Sequence, residues 1–163
     1  MEPMDPKGTP SQLDFEHAKQ LVEATIKKLG LDPAAMRVAA APGAPANESQ
    51  VAWTLKRGSA SVLVTVSHRA EEKAAYLRVA APVIVLPADA SKHLALFRRV
   101  LELNVAGLAN AAFGLAGDKV VVVCERPAQG LGPEEVEQSI RHLAAVADTF
   151  DDRLAKEFGA TRP

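Results

Sequence analysis

The sequence has few of the residue types that mark a specialised class of protein. It contains one cysteine, Cys124, which excludes an internal disulfide and a cysteine-based zinc site. Its 19 basic and 20 acidic side chains leave a formal net charge of -1, which excludes bulk electrostatic attraction to nucleic acid or to an anionic membrane. No apolar run approaches the roughly 20 residues that a membrane span needs. We therefore expect neither nucleic acid nor a membrane as a partner.

What remains is the composition of an ordinary folded domain. Hydrophobic residues make up 48% of the 163 residues, enough for one core. Residues 1–10 hold three prolines and a glycine and are expected to form a disordered tail, with a second tail at 160–163. A single domain should span residues 11–159. With no basic-then-apolar leader at Met1, we expect a cytoplasmic location.

The first half of the chain predicts one helix followed by strands. Ser11 and Asp14 suit a capping box, and apolar residues at helical spacing predict a helix over about residues 12–29. The segments MRVAAA, SQVAWTLK and SASVLVTV then predict a meander of three strands, with a hairpin turn at Arg57 and Gly58. A fourth extended segment, YLRVAAPVIVLP, contains Pro82. Because proline cannot donate to a ladder, we expect this strand at a sheet edge or in a crossover.

The second half predicts a helix, a hairpin and a long helix. The second helix should begin at Asp89 or Ser91 and end near Val105. The segment NAAFGLAGDKVVVVCER predicts a second hairpin, and the third helix opens at Pro133 with an unbroken apolar seam. The fold class is therefore predicted as α+β, with a mostly antiparallel sheet packed by three helices.

The second helix has an apolar arc that covers about half of its circumference, whereas a helix on one sheet needs only about 100°. The surplus predicts a second covering surface, which a two-fold partner often supplies, so we expect a homodimer. The candidate residues for this partner or dimer surface are Leu94, Leu96, Phe97, Val100, Leu101 and Leu103.

Candidate chemistry is sparse. The four histidines, His17, His68, His93 and His142, lie in four different predicted elements without metal-ligand spacing, so no metal site is predicted. No catalytic residue and no cofactor site is predicted either. Two other features have structural interpretations: Cys124 as a core thiol, and the acidic group Asp148, Asp151 and Asp152 as a solvated face. Lys92, Arg98 and Arg99 could make a small basic patch, but no exposed aromatic residue is evident beside them to stack on bases.

Asn104 falls inside the apolar arc near the end of the second helix. An amide there must find partners, either freed carbonyls of the helix end or the backbone of the following strand. We predict a structural role for it and no contact with a ligand.

The order of elements resembles the α+β fold shared by type III secretion chaperones and the YbjN family of sensory-transduction regulators. The match extends to segments: YLRVAAPVIVLP, LFRRVLELN, FGLAGDKVVVVCERPAQGLGPEEVEQSI and AAVADTFDDRLAKEFG resemble successive elements of that family, with Asn104 and Asp148 as landmarks. The secretion chaperones are typically more acidic than this chain, whose pI is about 6.4. The resemblance therefore favours the YbjN branch.

The resemblance implies a protein that is not an enzyme, is often dimeric and binds other proteins. Our leading hypothesis is a non-catalytic protein-binding module, chaperone-like or regulatory, that holds a protein client against an exposed apolar surface. The alternative is a small-ligand-binding sensor domain, and an enzyme of unknown type ranks third.

Overall fold

The computed structural model describes residues 8–39 and 48–163. The elements are α1 (Pro10–Lys28), α2 (Pro33–Met36), β1 (Arg37–Val38), β2 (Glu48–Arg57), β3 (Ala60–Arg69), β4 (Ala74–Val85), a 3-10 turn (Ala90–Lys92), α3 (His93–Ala106), β5 (Ala112–Ala116), β6 (Lys119–Pro127) and α4 (Pro133–Phe158). The strands form a six-stranded antiparallel sheet in the order β1-β2-β3-β4-β6-β5. The predicted α+β class is confirmed.

The start of α1 differs from the sequence prediction. The helix begins at Pro10, two residues before the expected start, because proline is well suited to the first helical position. Thr9 and Gln12, not Ser11 and Asp14, form the cap: the side-chain oxygen of Gln12 accepts the backbone N–H of Thr9 at 2.9 Å. Residues 1–7 of the expected tail lie outside the described part of the chain.

The expected edge position of the strand that contains Pro82 was wrong. That strand is β4, which lies between β3 and β6 in the middle of the sheet. Pro82 stands three residues before the end of this 12-residue strand, beside the first residues of β3. The missing N–H donor therefore costs the ladder only one bond near its end.

The chain divides into two compact units. The first contains residues 1–53, 64–78 and 126–137, and the second contains residues 54–63, 79–125 and 138–163. In the first unit, α1 contacts α2. The side chains of Ala18, Val22 and Ile26 on α1 are completely buried. Of the predicted strand MRVAAA, Arg37–Val38 form β1, which pairs antiparallel with β2, whereas Met36 ends α2 and Ala39 belongs to no strand. Ala40 and Ala41 lie outside the described residues.

The second unit holds α3, most of α4 and the predicted hairpin β5–β6. The hairpin turns at Gly117, whose φ of 60° suits glycine. The apolar seam of α4 is buried in this unit at Ile140, Leu143, Ala147 and Leu154. No helix in the described ranges combines the length and hydropathy needed to cross a bilayer.

Candidate functional site

The beginning of α3 is fixed by polar contacts. The Asp89 carboxylate accepts bonds from the Ser91 hydroxyl at 2.6 Å and from the Ser91 backbone N–H at 3.0 Å. These bonds lower the pKa of Asp89 below its usual value, the hydroxyl more than the backbone donor. His93 Nε2 donates to the carbonyl of Pro87 at 2.7 Å. The first turn of α3 is thus tied to the segment that follows β4.

The most exposed apolar side chains of the described residues lie along one side of α3. Leu94 is 80% exposed, Leu101 63% and Val105 89%. Positions seven and eleven residues apart fall within about 40° on a helix with 100° per residue, so these three side chains form one narrow stripe. We call this stripe of Leu94, Leu101 and Val105 the α3 outer face.

The structure separates the residues proposed for the partner surface. Leu96 and Val100 are buried and face inward, which corrects their assignment to that surface, and Phe97 and Leu103 are half-buried. Leu94 and Leu101 remain exposed. Val105 is a surface residue that the sequence interpretation omitted, although its spacing from Leu94 and Leu101 could have identified it. The apolar arc is therefore wide because it combines a buried half with an exposed half.

Asn104 joins the end of α3 to β5. Its Oδ1 accepts the backbone N–H of Phe113 at 2.7 Å, and its Nδ2 donates to the Phe113 carbonyl at 3.2 Å. The side-chain amide thus bonds both polar groups of one strand residue, as a neighbouring strand would. Phe113 is buried, with its ring edge-on to Phe150 at a centroid distance of 5.4 Å.

The connection from α3 to β5 has unusual backbone geometry. Gly107, Ala109 and Asn110 all have positive φ, at 95°, 46° and 65°. This conformation costs an alanine about 1 to 2 kcal/mol. His142 of α4 donates its Nε2 hydrogen to the Leu108 carbonyl at 2.6 Å in the middle of this connection. Asn104 and His142 together hold the connection in place.

Strand β5, which contacts α3, carries a further exposed apolar side chain. It is the last strand of the sheet order, so its outer backbone edge has no strand partner within the described ranges. Leu115, two residues after Phe113 and thus on the same strand face, is 52% exposed. Asn104 occupies this edge at Phe113, so the stretch of β5 that offers its backbone to another protein segment is the part beside Leu115.

The basic residues of α3 are partly neutralised. Arg98 pairs with Glu102 at 2.9 Å, and Arg99 lies 3.7 Å from Glu157 of α4. The patch proposed from Lys92, Arg98 and Arg99 therefore carries little net charge.

A second polar group lies at the turn between β2 and β3. Ser59 donates its hydroxyl to Asp148 at 2.5 Å and, more distantly, to Asp151 at 3.4 Å. Arg162 pairs with Asp151 at 3.5 Å and also with Asp152. Asp148 and Asp152 are exposed, as expected for a solvated face, but Asp151 is only 8% exposed, which corrects the prediction for that residue. The sequence could not reveal Ser59 or Arg162, because both reach the carboxylates from distant elements.

A recess of about 100 Å³ adjoins this polar group. Its wall includes the side chains of Ser59, Ser61, Pro82, Asp151 and Arg162. Small-molecule sites in proteins usually measure about 300 to 1,000 Å³, so this recess is suited to one side chain more than to a metabolite.

The four histidines make separate contacts. His17 is exposed, His68 meets the hydroxyl of Ser11 at 2.9 Å, and His93 and His142 bond backbone carbonyls. Within residues 8–39 and 48–163, no group of three or more His, Cys, Asp or Glu side chains is arranged to hold a metal ion. Cys124 is half-buried on β6.

Comparison with known proteins gives a consistent result. The fold is similar to a chain in the crystal structure of the ExsC–ExsE complex, with a TM-score of 0.57 and 18% identity over 86% of this chain and 95% of that one. It is also similar to a chain in the HopA1–SchA chaperone–effector complex, with a TM-score of 0.53 and 14% identity over 92% of this chain and 99% of that one. No curated protein matches the sequence.

The family comparison is more specific than the fold. The model of TY-Chap1, described as T3SS (YopN, CesT) and YbjN peptide-binding chaperone 1, matches residues 16–163. This match includes α3, the β5–β6 hairpin, α4, and the polar contacts around Asp89 and Asp151. The chain therefore belongs to the TY-Chap1 family of type III secretion and YbjN peptide-binding chaperones.

Proposed function

We propose that this protein is a non-catalytic chaperone-type module that binds an apolar segment of a client protein on the α3 outer face and the adjoining edge of β5. Membership of a peptide-binding chaperone family supports this function. The two similar structures are a chaperone–effector complex and the ExsC–ExsE complex, and both support a chain that holds part of another protein.

The observation that carries the proposal is the exposure of the α3 outer face. Leu94, Leu101 and Val105 expose most of their surface to water on one helix side. Each such side chain contributes about 1.5 to 3 kcal/mol when it is fully buried, so covering the stripe is favourable. The rim includes Arg98 paired with Glu102, and a polar rim around an apolar centre is typical of protein interfaces.

The same surface supports the proposed homodimer. In such a dimer, α3 of one copy packs antiparallel to α3 of the other around a two-fold axis. Each end of the stripe then meets the opposite end of the second stripe, so Leu94 of one copy lies near Val105 of the partner subunit. A client and a second copy would thus compete for this stripe, unless the client binds mainly along β5.

The recess beside Asp151 does not favour the alternative of a small-ligand sensor. A small-ligand sensor would need a larger recess than the one beside Asp151, whose volume is about 100 Å³. Whether the protein acts as a chaperone or as a YbjN-type regulator depends on the client. A client held unfolded before use indicates a chaperone, and a folded transcription or signalling protein indicates a regulator.

Affinity capture from the source cell, followed by mass spectrometry, tests the proposed function. Leu101→Glu should reduce recovery of the client by about tenfold or more, because a charge cannot be buried in an apolar interface without a partner. Leu13→Glu is the matched control, since Leu13 is a similarly exposed leucine, at 55%, on α1. A fragment of the recovered client should then bind the purified parent protein. Equal loss with both variants, or a metabolite in place of a protein, would contradict the proposal.

A further inference from the structure

The residues after α4 pair with the sheet, although the sequence predicted a tail there. Gly159 ends the helix with a φ of 64°, and the chain then returns to β4. The Thr161 carbonyl accepts the backbone N–H of Val85 at 2.8 Å, and these two residues form an antiparallel β-bridge. We call residues 160–163 the strap.

The strap occupies a particular edge of β4. The next backbone N–H along the chain, that of Leu86, donates to Asp118 at 2.7 Å, at the turn that leads into β6. Successive amides of an extended chain point to opposite edges, so Thr161 lies on the edge of β4 that faces β3. Since β3 begins only at Ala60, the strap takes up a pairing position that β3 leaves unfilled at Val85.

The side chain of Arg162 secures the strap. It pairs with Asp152 and with the buried Asp151, and the hydrogen bond to Asp152 raises the pKa of the guanidinium above its usual value. The following residue, Pro163, lines the recess together with Ala60, Pro82 and Val83. Three consecutive residues therefore hold the strap: Thr161 by its backbone bond, Arg162 by its ion pairs and Pro163 by its place in the recess.

We infer that this position on β4 is a docking site for an extended client segment that carries a basic side chain, and that the strap is its intramolecular competitor. The inference rests on the proposed peptide-binding function, and it locates a second contact away from the α3 outer face. Main-chain pairing at Val85 supplies affinity, and the carboxylates of Asp151 and Asp152 select arginine or lysine at the next position. A tethered segment has an effective concentration in the millimolar range, so only a client with additional contacts would displace it.

Amide exchange of the full chain, followed by NMR, tests whether the strap can be released. In Arg162→Glu, the reversed charge should free the strap and raise the exchange rate of the Val85 amide by about tenfold or more. The Leu86 amide, bonded to Asp118, should keep its rate and so reports that β4 is intact. Arg162→Lys should stay close to the parent, and Arg153→Glu controls for the same change of charge at another exposed position.

A capped peptide in trans then tests the docking site itself. Acetyl-Ala-Thr-Arg-Pro-amide at millimolar concentration should restore protection of Val85 in the Arg162→Glu variant and shift the resonances of Asp151. The same peptide with glutamine in place of arginine should do neither. Restored protection with only the arginine peptide supports the inference.

Two results would overturn it. The first is unchanged exchange at Val85 in Arg162→Glu, and the second is an equal response, or no response, to the two peptides. If the client recovered by affinity capture still bound while these results were obtained, the proposed function would stand and only this docking site would be rejected. If instead the peptide bound here and no protein client was recovered, the proposed function would fail and the site would remain.

Discussion

Asn104 bonds both the N–H and the carbonyl of Phe113, so a side chain of α3 serves as the backbone partner of a residue in β5. These two bonds hold the end of α3 against β5, the two elements that carry Leu94, Leu101, Val105 and Leu115 as exposed apolar residues. It also explains how a polar residue is accommodated within the apolar arc of the helix, because both its donor and its acceptor are used.

We predict that Asn104→Leu lowers the free energy of unfolding by about 1 to 3 kcal/mol, because the groups of Phe113 are left without partners. The thermal midpoint should fall by about 2 to 4 °C for each kcal/mol. Glu102→Gln, at an exposed position on the same helix, should change stability by no more than about 0.5 kcal/mol. A variant as stable as the parent that loses a client would make Asn104 a binding residue.

We predict that the protein sediments as a dimer at micromolar concentration and physiological salt. Leu101→Glu should shift the mass toward that of one 17.3 kDa chain. Each copy would then place one negative charge in the dimer interface near the two-fold axis, where the two charges are buried without partners and repel each other. Leu13→Glu should leave the mass unchanged. If the parent itself sediments only as a single chain, the dimer must be abandoned.

We predict that Gly58→Ala is more destabilising than Gly117→Ala. Both glycines occupy hairpin turns with nearly equal φ, at 61° and 60°, so both substitutions cost about 1 to 2 kcal/mol of backbone strain. A Cβ at residue 58 would lie 2.8 Å from Asp148 Oδ2, whereas a Cβ at residue 117 meets no atom within 4 Å. Asp148 must then move away from Ser59. Chemical denaturation of the two variants compares them, and equal losses would argue against a structural role for the Ser59–Asp148 bond.

We predict a small dependence of stability on Asp89 at acid pH. The bonds from Ser91 lower the folded-state pKa below the usual 3.8, so the carboxylate favours the folded state above that value, and this contribution is lost as the pH falls through the folded-state pKa. Asp89→Asn should therefore flatten the acid limb of the plot of thermal midpoint against pH. The effect is small because the group is exposed and screened by solvent. Parallel profiles for parent and variant would contradict it.

Local patterns predicted much of this fold. The period of the α4 seam and the turn at Gly117 are both properties of neighbouring residues, and both are present in the structure. Pro82 misled the prediction because a residue type alone does not say how near the strand end it will lie. The pairing of Val85 with Thr161 joins residues 76 positions apart, and nothing local in TRP at the end of the sequence indicates a strand partner. Burial of Asp151 depends on the same distant contacts.

Two histidines fix α3 on either side. His93 Nε2 donates to the Pro87 carbonyl before the helix, and His142 Nε2 donates to the Leu108 carbonyl after it. Because the helix is attached at both ends, the orientation of its apolar stripe is set before any partner arrives. A partner that covers the stripe therefore loses little free energy in ordering this helix.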